Sequence, residues 1–122
     1  MIEKVAAIAR RYAELNELMA DPQIATDPSR VAEYAREQAD LQEIVTLYEA
    51  YRAAEIELAD ARSIAEDGDD PEMIELADAE IHRIHREQEE RTAELHKLLL
   101  PKDPNDEKNV IMEIRAGTGG DE

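Results

Sequence analysis

The sequence predicts an all-α fold: an antiparallel bundle of three long helices with coiled-coil-like seams, followed by one β-strand that begins a truncated second domain. Three observations carry this expectation. Apolar residues recur at alternating spacings of three and four through most of the chain. Asp-Pro pairs at 21–22, 27–28 and 70–71 punctuate that pattern. Period-two alternation replaces it only after the proline-punctuated stretch 101–106. The expected division is a helical domain over 1–104 and the start of an α+β domain over 105–122.

The first helix is expected from about residue 2 to 20, where Val5, Ile8, Tyr12, Leu15 and Met19 form an unbroken apolar seam. Asp21-Pro22 stops it, because the residue before a proline is pushed out of the helical region. Asp27-Pro28 starts the next helix: the carboxylate can accept a bond from a free backbone N–H, and proline suits the first helical position. With no Gly or Pro until Gly68, the second helix is expected to span about 38 residues, roughly 57 Å.

Midway along, that second helix changes face. Val31, Tyr34, Leu41, Val45 and Tyr48 form a first seam, interrupted by Gln38, and Ile44, Leu47, Tyr51, Ala54, Leu58, Ala61 and Ala65 form a second. Two seams imply two partners, one helix folding back over the early part and another over the rest. The later partner is announced by Asp70-Pro71 and runs to about Leu100, before Pro101. Its seam is Ile74, Ala77, Ile81, Ile84, Gln88, Arg91, Leu95 and Leu98, and its polar members, Gln88 and Arg91, point to water or another protein in mid-seam rather than a dry core.

After the linker, Val110, Met112 and Ile114 alternate with Ile111, Glu113 and Arg115 in a strand pattern, and the glycine-rich run at 117–120 reads as a turn. A solitary strand leaves its backbone groups without ladder partners. The chain is therefore expected to be a fragment.

Composition agrees with long helices packed side by side: Phe and Trp are absent and only four Tyr are present. There is no Cys, hence no disulfide framework, thiolate metal site or cysteine nucleophile. No uninterrupted apolar run suggests a signal peptide or membrane span, so a soluble cytoplasmic chain with no membrane partner is expected. The net charge of −17 is uneven, with eighteen acids against four arginines over residues 21–80. Such a field repels phosphate backbones, so little direct RNA contact is expected, whereas a basic protein would be attracted. Equally, the acids can simply solvate exposed helix faces.

No grouping points to catalysis, and no cofactor is implied. His82 and His85 lie three apart, close enough to share a metal with Asp78 or Glu89, but two histidines are too few for a closed site. Asp67-Gly68-Asp69-Asp70 lacks the spacing of a calcium loop and reads as a turn plus N-cap. Gly117, Gly119 and Gly120 follow a strand without a Lys in phosphate-cradling register.

The run from Val110 onward, and above all Glu113-Ile114-Arg115-Ala116-Gly117-Thr118-Gly119-Gly120-Asp121-Glu122, resembles the segment that opens the second domain of bacterial class I peptide-chain release factors, of the type that reads UAA and UAG. Leu98-Leu99-Leu100-Pro101-Lys102-Asp103-Pro104 is similar to that family's linker. The resemblance implies a protein that enters the ribosomal decoding site and directs hydrolysis of peptidyl-tRNA. The family's Gly-Gly-Gln loop and Pro-x-Thr tripeptide do not occur in these residues, so no catalytic residue carries over.

What the resemblance implies for the helical region is an arm near the stalk base of the large subunit, used for docking and orientation. Its expected partners are stalk-base proteins, the termination GTPase and the methyltransferase that modifies the Gly-Gly-Gln glutamine. Glu33, Glu37, Asp40, Glu43 and Glu55 on the second helix are the candidate partner-contact acids. Two rival readings stand beside this one: a stand-alone coiled-coil adaptor that tolerates loss of 105–122, and a metal-dependent enzyme using His82 and His85. Self-association through the unpaired strand or a half-covered second helix is a further expectation.

Overall fold

The structure, a computed structural model, describes residues 1–100. The linker, the expected strand, the Gly-rich turn and the family signature Glu113–Glu122 lie outside the described residues. Within them the chain forms four helices: α1 (Ile2–Ala20), α2 (Pro22–Ala25), α3 (Pro28–Asp67) and α4 (Pro71–Leu99). No helix there is long and apolar enough to cross a membrane.

Three Asp-Pro pairs start three of these helices by one local mechanism. Asp21 Oδ1 accepts from the backbone N–H of Gln23 at 2.9 Å, Asp27 Oδ1 from Arg30 at 3.3 Å and Asp70 Oδ1 from Glu72 at 3.0 Å. Each satisfies an orphan donor of the first turn while proline fixes the first helical φ. The sequence expectation for Asp21-Pro22 was a stop alone; it also starts the single turn α2. That turn puts Ile24, only 6% exposed, into the corner between α1 and α3.

The stops are equally local. Asp21 and Leu100 are extended, as residues before a proline must be. Gly68 ends α3 at φ −71°, ψ 156°, and a Cβ there would lie 2.5 Å from the Ile64 carbonyl oxygen. Close approach of backbone, rather than a left-handed φ, is what this glycine supplies.

α1 and α4 both run antiparallel to α3. Along α1, Arg11 meets Glu37 while Met1 lies by Tyr51; along α4, Gln88 meets Tyr51 while His85 meets Arg62. The two seams read from the sequence face these two partners. Val5, Ile8, Leu15, Leu41, Ile44, Val45 and Leu95 form one buried cluster, with Tyr12, Tyr34, Leu47, Tyr48, Leu98 and Leu99 packed around it. Leu95 brings the end of α4 into the α1–α3 core, making a three-helix base.

Beyond residue 51 of α3, α1 has ended and only the α3–α4 hairpin continues. Its buried residues are Ala54, Ala61, Ala77 and Ile84. Three of the four are alanines, which let the helix backbones approach closely but bury little apolar area each. The molecule is thus a thick base carrying a thin two-helix arm.

The polar members of the seams are spent inside the bundle. Gln88 Nε2 donates to the Tyr51 carbonyl at 3.1 Å, and Arg91 Nη1 donates to Gln88 Oε1 at 3.0 Å. Gln38 Nε2 in turn donates to Asn16 Oδ1 at 2.6 Å and to the Tyr12 carbonyl at 3.3 Å. The expectation that the Gln88–Arg91 stretch faces water or a partner is corrected to this extent: Gln88 ties α4 to α3. A helical carbonyl keeps a second lone pair after accepting its own i+4 N–H, and that lone pair is what each glutamine uses.

Candidate docking surface

α3 carries all five candidate contact acids, and helical periodicity decides which of them share a face. Glu33, Glu37 and Asp40 sit at i, i+4 and i+7, hence on one stripe. Glu55 lies about 22 Å further along the axis than Asp40, at 1.5 Å per residue, so the five do not converge on one point. Glu33, Asp40, Glu43 and Glu55 are exposed and form no ion pair with another described residue. Glu43 borders a groove that it shares with Leu47 and Glu94, and Glu55 borders a larger one, about 740 Å3, shared with Tyr51, Leu58, His85 and His96.

Glu37 behaves differently. Its carboxylate accepts from Arg11 Nε at 2.6 Å and from Arg11 Nη2 at 2.9 Å, a two-pronged pair across α1 and α3, and Glu14 accepts from Arg11 Nη1 at 2.8 Å. The side chains of Arg11 and Glu37 are 10% and 19% exposed. Charge-assisted bidentate geometry of this kind fixes orientation, and the Glu37 hydrogen bond raises the Arg11 pKa despite partial burial. Glu37 is therefore already engaged within the bundle.

A second cationic centre lies on the arm. Arg83 on α4 binds Glu87 at 2.8 Å, reaches Glu57 of α3 at 3.6 Å and pairs with Glu80, which it holds below the usual carboxylate range through their hydrogen bond. These contacts neutralise some acids of the arm and leave most of them facing water.

His82 and His85 are both exposed, and His85 Nε2 stands 3.4 Å from Arg62 Nη2. Among the described residues no group of three or more His, Cys, Asp or Glu is arranged to hold a metal ion.

Sequence reasoning missed an apolar grouping near the tip of the arm, where Ile64, Met73 and Leu76 are 39%, 47% and 66% exposed. The signal was present: Met73 and Leu76 each sit one residue before a seam position, Ile74 and Ala77, and the seam leaves them over.

Comparison with known proteins places this acidic helical chain in a family. Residues 8–122 match the family described as the PCRF domain. The chain belongs to the PCRF domain family. This PCRF chain is 47% identical to peptide chain release factor 1 of Bacillus licheniformis, 46% to that of Bacillus subtilis and 45% to that of Geobacillus kaustophilus, in each case over all 122 residues. The resemblance to bacterial release factors carried by the 110–122 run therefore extends over the whole PCRF chain. The chain spans about a third of the length of these curated relatives, 34% in each case. No solved structure matches it.

Proposed function

We propose that this chain is the helical docking arm of a cytoplasmic translation-termination factor, positioning on the ribosome a protein that responds to UAA and UAG. The observation that carries the proposal is its PCRF match, together with full-length alignment to proteins named peptide chain release factor 1. The arm's part is binding and orientation rather than chemistry. Hydrolysis and codon reading belong to segments that these residues do not include.

Electrostatics favours protein over RNA as the direct contact. Glu33, Asp40, Glu43 and Glu55 present along α3 carboxylates that form no ion pair among the described residues, and carboxylates repel phosphate but attract the lysines and arginines of ribosomal proteins. Stalk-base proteins of the large subunit are the partners this surface suits, with the termination GTPase and the glutamine methyltransferase as further candidates. Glu37 is left out of the contact set because Arg11 occupies it.

A reconstituted termination reaction tests the reading. Added to a full-length release factor working on stop-codon ribosomes, the chain is expected to raise the factor's apparent KM while leaving kcat unchanged, and to release no peptide by itself. Absence of competition at saturating chain, or peptide release by the chain alone, overturns it.

A further inference from the structure

We infer that the tip of the α3–α4 arm is an apolar docking epitope, anchored by Ile64, Met73 and Leu76, for a protein surface whose own apolar contact is flanked by lysine or arginine. The inference rests on the docking reading above and gives it a different locus, since none of the five acids singled out from the sequence lies at the tip.

Three of the six exposed large hydrophobics among the described residues gather here, on two different helices. Met73 and Leu76, one turn apart on α4, lie with Ile64 of α3 along a shallow groove of about 380 Å3, floored by Ala61 and Ala77 and bordered by Glu57, Asp60 and Glu80. Folding the hairpin does not require these side chains outside: its seam is closed by Ala61, Ala77 and Ile84, which are 6%, 6% and 0% exposed. Scattered surface hydrophobics are ordinary, but a contiguous apolar group with a polar rim marks a contact surface.

Charge selects the occupant. Residues 57–80 hold ten acids and one base, Arg62; Arg83 of α4 pairs with Glu57 and Glu80 of the rim, while Asp60 and the other seven acids form no ion pair with another described residue. A second copy would bring the same field against itself, and an RNA backbone would be repelled. A partner with an apolar centre and a cationic margin satisfies both the groove and its rim, with the apolar anchors supplying affinity and the acids register and association rate.

The test uses the 122-residue chain with purified large ribosomal subunits as the probe. Met73→Asp and Leu76→Asp change exposed positions, so far-ultraviolet circular dichroism should stay that of the parent, and each is expected to weaken binding by at least about tenfold, the loss typical of a central anchor. A benzoylphenylalanine crosslinker at position 76 is expected to capture a basic protein of the subunit. Parent binding with undiminished affinity of both Asp variants overturns the tip epitope but not the docking reading. Crosslinking to rRNA or to a second copy also overturns the epitope, and failure of the parent chain to bind overturns both.

Discussion

Leu95 is the residue on which the three-helix base converges, fully buried on α4 yet part of the cluster built mainly by α1 and α3. Leu95→Ala removes apolar surface where three helices meet and little can collapse to fill the space, so a loss of about 2–5 kcal/mol is expected, measurable by urea unfolding. At the caps, Asp27→Ala and Asp70→Ala each strand a first-turn N–H and should cost about 1 kcal/mol. Glu80 supplies a pH test. Its carboxyl is held below the ordinary range by Arg83, so the pair's contribution is complete above the unfolded glutamate value of about 4.3 and is lost as pH falls through the lower folded value. The melting temperature of Glu80→Gln should accordingly lie below that of the parent at neutral pH and converge with it in acid. An unchanged gap across that range contradicts the assignment. Because the pair is exposed, the gap is expected to be small.

The elements were legible in the sequence to the extent that they depend on short-range grammar. Asp-Pro caps, the seam of α1 and the change of face along α3 all follow from residue type and spacing. What depends on a neighbour across the bundle was not. Gln88 interrupts a seam in the same way whether it faces water or bonds to Tyr51, and only the α3–α4 register distinguishes the two. Glu37 likewise reads as one more surface acid until Arg11 is brought opposite it. The engagement of Gln88 makes a prediction of its own. Gln88→Leu removes the bond to Tyr51, worth about 1 kcal/mol net, and leaves Arg91 to Glu87 and solvent, but it adds apolar burial in the seam, and the Tyr51 carbonyl keeps its helical partner. Stability close to that of the parent is expected, with Gln88→Ala lower; a large loss in the leucine variant would show that the polar tie is indispensable. Thickness differs along α3 as well. Its early half lies in the base, and its later half meets only α4 across an alanine seam. Amide hydrogen exchange should therefore be faster over about residues 55–67 and 71–84 than over 38–50. Uniform protection would contradict the division into base and arm.

As a whole, the described residues divide into a packed base and a thinner exposed arm. The base holds most of the buried apolar side chains, and the arm projects acids and a small apolar group from a frame that needs neither to fold. Of the candidate surface, sequence reasoning found the charge and its helix. It did not find the apolar tip: Met73 and Leu76 stand out only as residues the α4 seam leaves over, and the pairing of α3 with α4 is what brings Ile64 beside them. Long-range attraction between an acidic arm and basic protein accelerates encounter and weakens with salt. The most direct measurement is equilibrium binding of the chain to large ribosomal subunits, compared with the same rRNA stripped of protein and followed as salt is raised. Binding to the intact subunit that declines with salt is expected, with none to the stripped rRNA. Equal or tighter binding to the stripped rRNA would contradict that expectation.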